Sequence, residues 1–162
     1  MKIVHIIGGS LVGGAAKGAI GLHEALLSLG LDSRVVAARP GDNNLGVNHI
    51  DYSSWTLWPS IERSIRSRIE SAYLKLAYPR KSGRAFSIGK VGAPVARHPW
   101  VKNAHIVHLH WINSAFVRIG EIAALQKPIV WTVRDMWPIT GGCHYSIECG
   151  RFRKGCGRCP QL

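Results

Sequence analysis

Met1-Lys2-Ile3-Val4-His5-Ile6-Ile7-Gly8-Gly9-Ser10-Leu11-Val12-Gly13-Gly14 opens the chain and sets its architecture. Residues 2–7 are a continuous apolar run stopped by glycine, the pattern of a strand buried on both faces. The glycines then read as a flexible turn. Beyond them Ala15, Ala19, Leu22, Leu26 and Leu29 recur at spacings of four and three, one face of an amphipathic helix, and Gly30 stands where that helix would end. Ser33 to Ala38 reads as a second strand. Strand, glycine-rich turn, helix and strand make a βαβ unit with a right-handed crossover. The expected fold class is therefore α/β, a Rossmann-like parallel sheet with flanking helices.

Later segments continue the alternation. His49 to Ser53 suits a short strand. From Pro59 to about Tyr78, Ile61, Ile65, Ile69, Ala72, Tyr73 and Leu76 form a helical stripe, with Arg63, Arg66, Arg68 and Lys75 on the other faces. Residues 79–102 are loop-rich, punctuated by Pro79, Gly83, Gly89 and Gly92. His105 to Trp111 reads as a strand, Ser114 to Leu125 as a helix and Pro128 to Val133 as another strand. Residues 134–162 follow neither period, and a segment of that length without structure of its own needs a staple.

Composition narrows the class. With 162 residues, 46% of them hydrophobic and 19% charged, the chain can bury one core and is not disordered. No apolar run reaches the roughly 18 residues that span a bilayer. The N-terminal run is too short for a signal peptide and lacks a small-residue cleavage site, so a cytoplasmic location is expected. The net charge of +12 attracts phosphate in some form: nucleic acid, anionic lipid or a phosphorylated small molecule. Residues 55–102 hold ten basic residues against two acidic ones, a net +8. Trp55 and Trp58 precede the basic helix and Trp100 comes after it. A basic amphipathic helix with tryptophans nearby suits the surface of an anionic membrane, and hence a peripheral location on the inner face of the cell membrane.

Three groups of residues carry candidate chemistry. At the glycine-rich turn, backbone amides at a helix N-terminus can face an anion, and Gly13 and Gly14 let the backbone approach a phosphate without a Cβ clash. The pattern is neither the dinucleotide fingerprint nor a Walker loop, which disfavours a nucleotide-binding oxidoreductase. In the 105–111 strand, His108 and His110 point to one face. Ligands in open α/β sheets bind at strand C-termini, which makes His110 a site candidate and His108 a core histidine. The next strand ends in Thr132-Val133-Arg134-Asp135, a charged pair suited to a phosphate and a sugar hydroxyl, or to each other.

The four cysteines, Cys143, Cys149, Cys156 and Cys159, fall within 17 residues near the C-terminus. One Cys-x2-Cys knuckle and no secretion signal favour a structural zinc over disulfides, with an iron–sulfur cluster or free thiols as alternatives. Residues 134–162 are thus expected to be a Cys-rich loop within the domain. Basic charge with a zinc staple also fits a nucleic-acid-binding module. Against that reading, the charge lies in the middle, the thiols at the end, and finger spacing is missing.

Met1-Lys2-Ile3-Val4-His5 with Gly13-Gly14-Ala15, then His108-Leu109-His110-Trp111, Trp131-Thr132-Val133-Arg134-Asp135-Met136-Trp137-Pro138-Ile139-Thr140-Gly141-Gly142-Cys143-His144-Tyr145, and Gly155-Cys156-Gly157-Arg158-Cys159-Pro160-Gln161-Leu162 resemble bacterial family 4 glycosyltransferases of exopolysaccharide, capsule or O-antigen assembly. The resemblance is strong at both ends and weak over 39–103. It implies a GT-B architecture of two Rossmann-like lobes, with residues 1–162 forming an incomplete N-terminal, acceptor-side lobe and the donor lobe absent. It also implies a nucleotide-sugar co-substrate, a saccharide or lipid-linked acceptor, and retaining transfer without a catalytic metal. By the same resemblance Gly13 and Gly14 would lie near the donor phosphates, His110 would line the acceptor side, and Arg134 and Asp135 would sit beside the transferred sugar. Many relatives carry His at the position of Arg134. An open sheet edge, uncovered apolar surface and no activity in isolation are expected.

Overall fold

The computed structural model describes residues 1–9, 11–39, 50–51, 59–79 and 84–162. Five strands, β1 (Lys2–Ile7), β2 (Asp32–Ala37), β3 (Ile50–Asp51), β4 (Ile106–Leu109) and β5 (Ile129–Trp131), pair in parallel in the order β3-β2-β1-β4-β5. The described helices are α1 (Gly14–Ser28), α2 (Pro59–Ala77), α3 (Pro99–Asn103) and α4 (Ile119–Ala124). This is the expected Rossmann-like α/β fold. Its strand order reverses between β1 and β4, and doubly wound sheets bind ligands at the C-terminal side of such a switch point.

Alternation along the strands builds two cores. Ile7, Val35 and Ala37 pack under α1 with Leu11, Ala16, Ala19 and Ile20. Val4, Ile6, Val36, Val107 and Leu109 face the opposite layer, where Val95, Val101, Phe116, Leu125 and Trp137 cover them. α3 starts with Pro99 at a position where a missing N–H costs nothing, and the His98 side chain accepts from Trp100 N as its cap.

α1 lies where the periodicity puts it, but its buried face is rotated. Ala16, Ala19, Ile20 and His23 face the sheet, whereas Leu22 is 38% exposed and Leu29 76%. Small alanines let the helix lie close, and His23 is accommodated because its Nδ1 is 2.7 Å from Ser33 Oγ on β2. A stripe chosen from apolar residues alone cannot contain that histidine. At the helix end Leu31 N donates to Leu26 O and Gly30 N to Leu27 O, with Gly30 at φ +75°, the left-handed stop that glycine allows.

α2 departs further. Ile61, Ile65, Ile69, Tyr73 and Leu76 are each between 37% and 87% exposed. The inner line is polar: Arg63 Nη1 donates to Ala38 O, Glu70 Oε1 accepts from Ile88 N, and among the described side chains only Leu74 adds a buried apolar one. Main-chain atoms of neighbouring segments recruit the charged face, which leaves the apolar face outward. Trp55, Trp58 and most of the 49–53 segment lie outside the described residues. Trp100 packs partly buried against the core with the Arg34 guanidinium 4.9 Å from its ring, so it does not extend the outer face of α2.

The helix expected from Ser114 begins only at Ile119. Ser114 and Ala115 adopt left-handed backbone, at φ 58° and 55°, which a helix cannot continue. Residues 112–117 plug the core instead, through Ile112, Phe116 and Val117. The tail contains two short 3-10 turns, Trp137–Ile139 and Arg151–Lys154, and an antiparallel bridge between Phe86 and Cys143. β5 is the last strand on its side of the described sheet and leaves Ile129 and Val130 exposed. Among the described residues no helix is long and apolar enough to cross a membrane.

Candidate functional site at the strand C-termini

The C-terminal ends of β1, β4 and β5 open into a cavity of about 460 Å³ lined by Gly9, Gly13, Gly14, Trp111, Arg134, Asp135, His144 and Tyr145, among others. Four of the residues singled out in the sequence, Gly13, Gly14, Arg134 and Asp135, therefore meet at one place, the switch point of the sheet. Gly13 is the N-cap of α1 and provides no side-chain cap, and among the described residues no side chain takes up the first-turn amides. A Cβ built on Gly14 would meet nothing within 4 Å. The space in front of the helix is open, and packing does not require glycine there.

Gly8 and Gly18 shape the site by close approach. A Cβ on Gly8 would stand 2.8 Å from the carbonyl carbon of Ile112, so glycine lets β1 pass against the segment after β4. On Gly18 it would stand 2.8 Å from Arg134 Nη2. The Arg134 guanidinium thus lies across α1 in a groove that a side chain would fill.

Asp135 is almost enclosed, with its side chain 6% exposed. Oδ2 accepts from Trp111 Nε1 at 2.8 Å, lies 2.6 Å from His144 Nδ1 and 3.5 Å from Asn113 Nδ2, and Oδ1 accepts from Trp137 N at 3.0 Å. The carboxylate joins β4, β5 and the tail before any ligand arrives. Among the described residues its close side-chain partner is His144, not Arg134, so the local Arg-Asp pair weighed from residue type does not form. His144 carries the chain onward, its Nε2 3.0 Å from Ser87 Oγ. Asn113, His144, Ser87 and Gly18 were not legible as site residues. They lie far apart in sequence, and their types are ordinary in loops.

His110 does not line the cavity. It is 2% exposed and occupies a closed seam beside Arg134 and Asp135. Its ring stacks on His108 with centroids 4.2 Å apart, and its Nε2 is 3.0 Å from His5 Nδ1. Burial, then the neighbouring His108 and Arg134, pushes its pKa down to about 3. The ring is neutral and held in the core. His108, expected in the core, is buried there with Nε2 2.7 Å from Thr132 Oγ1.

No three of the four cysteine sulfurs lie within 4.8 Å of one another. Among the described residues, which include all four, the one group of three or more metal-ligating side chains is His5, His108 and His110. Cys143 is buried in a small cluster with Leu74 and Phe86, which Cys159 and Leu162 flank. Cys149, Cys156 and Cys159 are partly buried free thiols. Packing around Cys143 and the His144 contacts order the start of the tail.

Fold and cavity together define a Rossmann-like α/β domain with a crevice at its switch point that carries Arg134, Asp135 and His144 on a largely apolar lining. No family model matches the chain, and no solved structure matches it significantly. Among curated proteins it is 28% identical over 155 residues to the provisionally named colanic acid biosynthesis glycosyl transferase WcaC of Escherichia coli (strain K12). The match covers 93% of this chain and 37% of that relative, so the chain spans little more than a third of the relative's length.

Proposed function

We propose that the chain is the N-terminal, acceptor-side lobe of a GT-B glycosyltransferase of family 4 type, serving bacterial surface polysaccharide synthesis. One observation carries this reading: Gly13, Gly14, Arg134 and Asp135 share a cavity at the switch point of a chain that matches a named glycosyl transferase along 93% of its length. The α1 amides and Arg134 face the phosphates of a nucleotide sugar, which a second lobe grips from the other side. Asp135, held by Trp111, His144 and Trp137, fixes the rim against which the sugar and a saccharide or lipid-linked acceptor are oriented. Retaining transfer without a catalytic metal is part of the proposal. So is a cytoplasmic site of action at the membrane surface, supported by the outward apolar stripe of α2 flanked by Arg68 and Lys75.

The test is a chimera in which this chain replaces the matched segment of the colanic acid relative. Transfer from a nucleotide sugar is expected in the chimera, at least tenfold lower with Arg134→Ala, and none from the 162-residue chain alone. Turnover by the chain alone, or a chimera indifferent to both Arg134→Ala and Gly14→Val, contradicts the reading.

A further inference from the structure

β1 and β4 place three histidines in the layer between the sheet and α1. His5 and His108 are register partners on neighbouring parallel strands, and His110 comes two residues later, so alternation aims all three rings to one side. Ring centroids are 4.2 Å apart for His108 and His110, 5.2 Å for His5 and His108, and 5.3 Å for His5 and His110. Each ring offers a nitrogen within 4.8 Å of one offered by each of the others. His5 is 0% exposed, His110 2% and His108 8%.

Core packing alone does not account for histidine at these positions. His5 Nε2 and His110 Nδ1 are buried without a hydrogen-bond partner, each at a cost of about 1–3 kcal/mol in a closed core. Valine or leucine would fill the same positions at no such cost. His108 Nε2, by contrast, is fixed by Thr132 Oγ1, the kind of outer contact that sets the tautomer and orientation of a metal-binding imidazole.

We propose that His5, His108 and His110 form a three-imidazole site for a late first-row divalent cation, zinc above all, buried between the sheet and α1. Three histidines with an open fourth position are an established zinc donor set. Imidazole also suits copper and nickel, and the lack of oxygen donors disfavours calcium and magnesium. Burial keeps the rings in the neutral, ligating form, with His5 pushed down to about 3 and His108 also lowered. Zinc–nitrogen bonds in a tetrahedral centre hold ligand atoms about 3.4 Å apart. The ligating pair is His5 Nδ1 and His110 Nε2, 3.0 Å apart and separating slightly on binding, while the unpartnered His5 Nε2 and His110 Nδ1 stay turned away from the ion. The Arg134 charge, which acts on both His108 and His110, weakens the site for a cation. The centre lies outside the crevice lining. It ties β1 to β4 beneath the crevice and touches no substrate.

The test uses the untagged, reduced 162-residue chain, with Co²⁺ or Zn²⁺ added both to the folded protein and during refolding. One equivalent of cobalt is expected to give four-coordinate d–d absorption without the thiolate charge-transfer bands that the cysteines would produce. Long-range ¹H–¹⁵N spectra with zinc are expected to shift the ring nitrogens of His5, His108 and His110 and leave those of His105 and His144 in place. His5→Gln and His110→Gln each abolish the first equivalent, with circular dichroism checking the fold, and Arg134→Gln tightens it several-fold. A first equivalent bound through thiolate, or the three rings unmoved by excess zinc, overturns the proposal. The ring spectra read the native chain, so a histidine variant that fails to fold does not weaken the test.

Discussion

His144 Nδ1 and Asp135 Oδ2 meet at 2.6 Å, and this contact fastens an aperiodic tail to the C-terminal end of the sheet. The same carboxylate holds the Trp111 indole and the Trp137 amide, so one side chain sets the rim of the crevice. Removing it leaves several buried donors without a partner. Asp135→Ala is expected to cost roughly 3 kcal/mol or more, and Asp135→Asn less, because the amide oxygen still accepts. Urea unfolding at neutral pH measures both. Asp135→Ala with the parent midpoint would contradict the assignment.

Acid sensitivity derives from the imidazole layer. His5 and His110 titrate near 3 in the folded chain, against 6.5 when unfolded. Between those values the unfolded state binds more protons, so stability rises with pH. The contribution is fully present above about 6.5 and is lost as pH falls toward 3. Each ring contributes a slope of about 1.4 kcal/mol per pH unit inside the window. Urea midpoints of the metal-free chain should therefore drop steeply from pH 7 to pH 5. The double variant His5→Gln with His110→Gln should flatten the dependence. A parent profile flat across that interval would count against neutral buried rings.

Gly18 and Gly92 should respond in opposite ways to alanine. At Gly18 the new methyl meets only the mobile end of Arg134, and replacing a glycine inside a helix gains about 0.5–1 kcal/mol. Gly18→Ala is expected to keep or raise stability while displacing the guanidinium, weakening nucleoside diphosphate binding several-fold. At Gly92 a Cβ would stand 2.3 Å from Arg118 N, a backbone atom that cannot swing aside. Gly92→Ala is expected to destabilise by roughly 3 kcal/mol, as overpacking does. Calorimetry with a binding titration separates the two effects.

The outward stripe of α2 predicts association with anionic vesicles. Ile61, Ile65 and Ile69 lie exposed on a helix that also carries Arg68 and Lys75. Co-sedimentation with phosphatidylglycerol vesicles at low salt should retain the chain. Ile65→Glu with Ile69→Glu should release it, as should salt well above physiological strength. Equal retention on neutral phosphatidylcholine vesicles, or none on anionic ones, would rule out an anionic membrane as the partner of this helix.

The parallel sheet was legible because hydrophobic runs and glycines are local signals: residues 2–7 and 33–38 differ from β1 and β2 by a residue at most. Gly13, Gly14, Arg134 and Asp135 were legible because topology sends strand C-termini to one edge. The buried face of α1 was not, since it includes His23, whose place depends on Ser33 ten residues away. The orientation of α2 is set by main-chain partners at Ala38 and Ile88 that no periodicity encodes. The start of α4 is hidden because the left-handed turn at Ser114 and Ala115 carries no glycine to announce it. The place of His110 near a strand end suggests a rim residue, whereas the ring turns inward onto His108.

Docking of phosphate-bearing sugar ligands on the α1 amides and Arg134, at the switch point, is tested most directly by amide and indole ¹H–¹⁵N spectra. The labelled chain is titrated with millimolar UDP- and GDP-sugars. The Gly13, Gly14 and Ala15 amides and the Trp111 indole are predicted to shift together, and Arg134→Ala to abolish the response. Shifts confined to α2 or to residues 149–159, with the α1 amides unmoved, would contradict it.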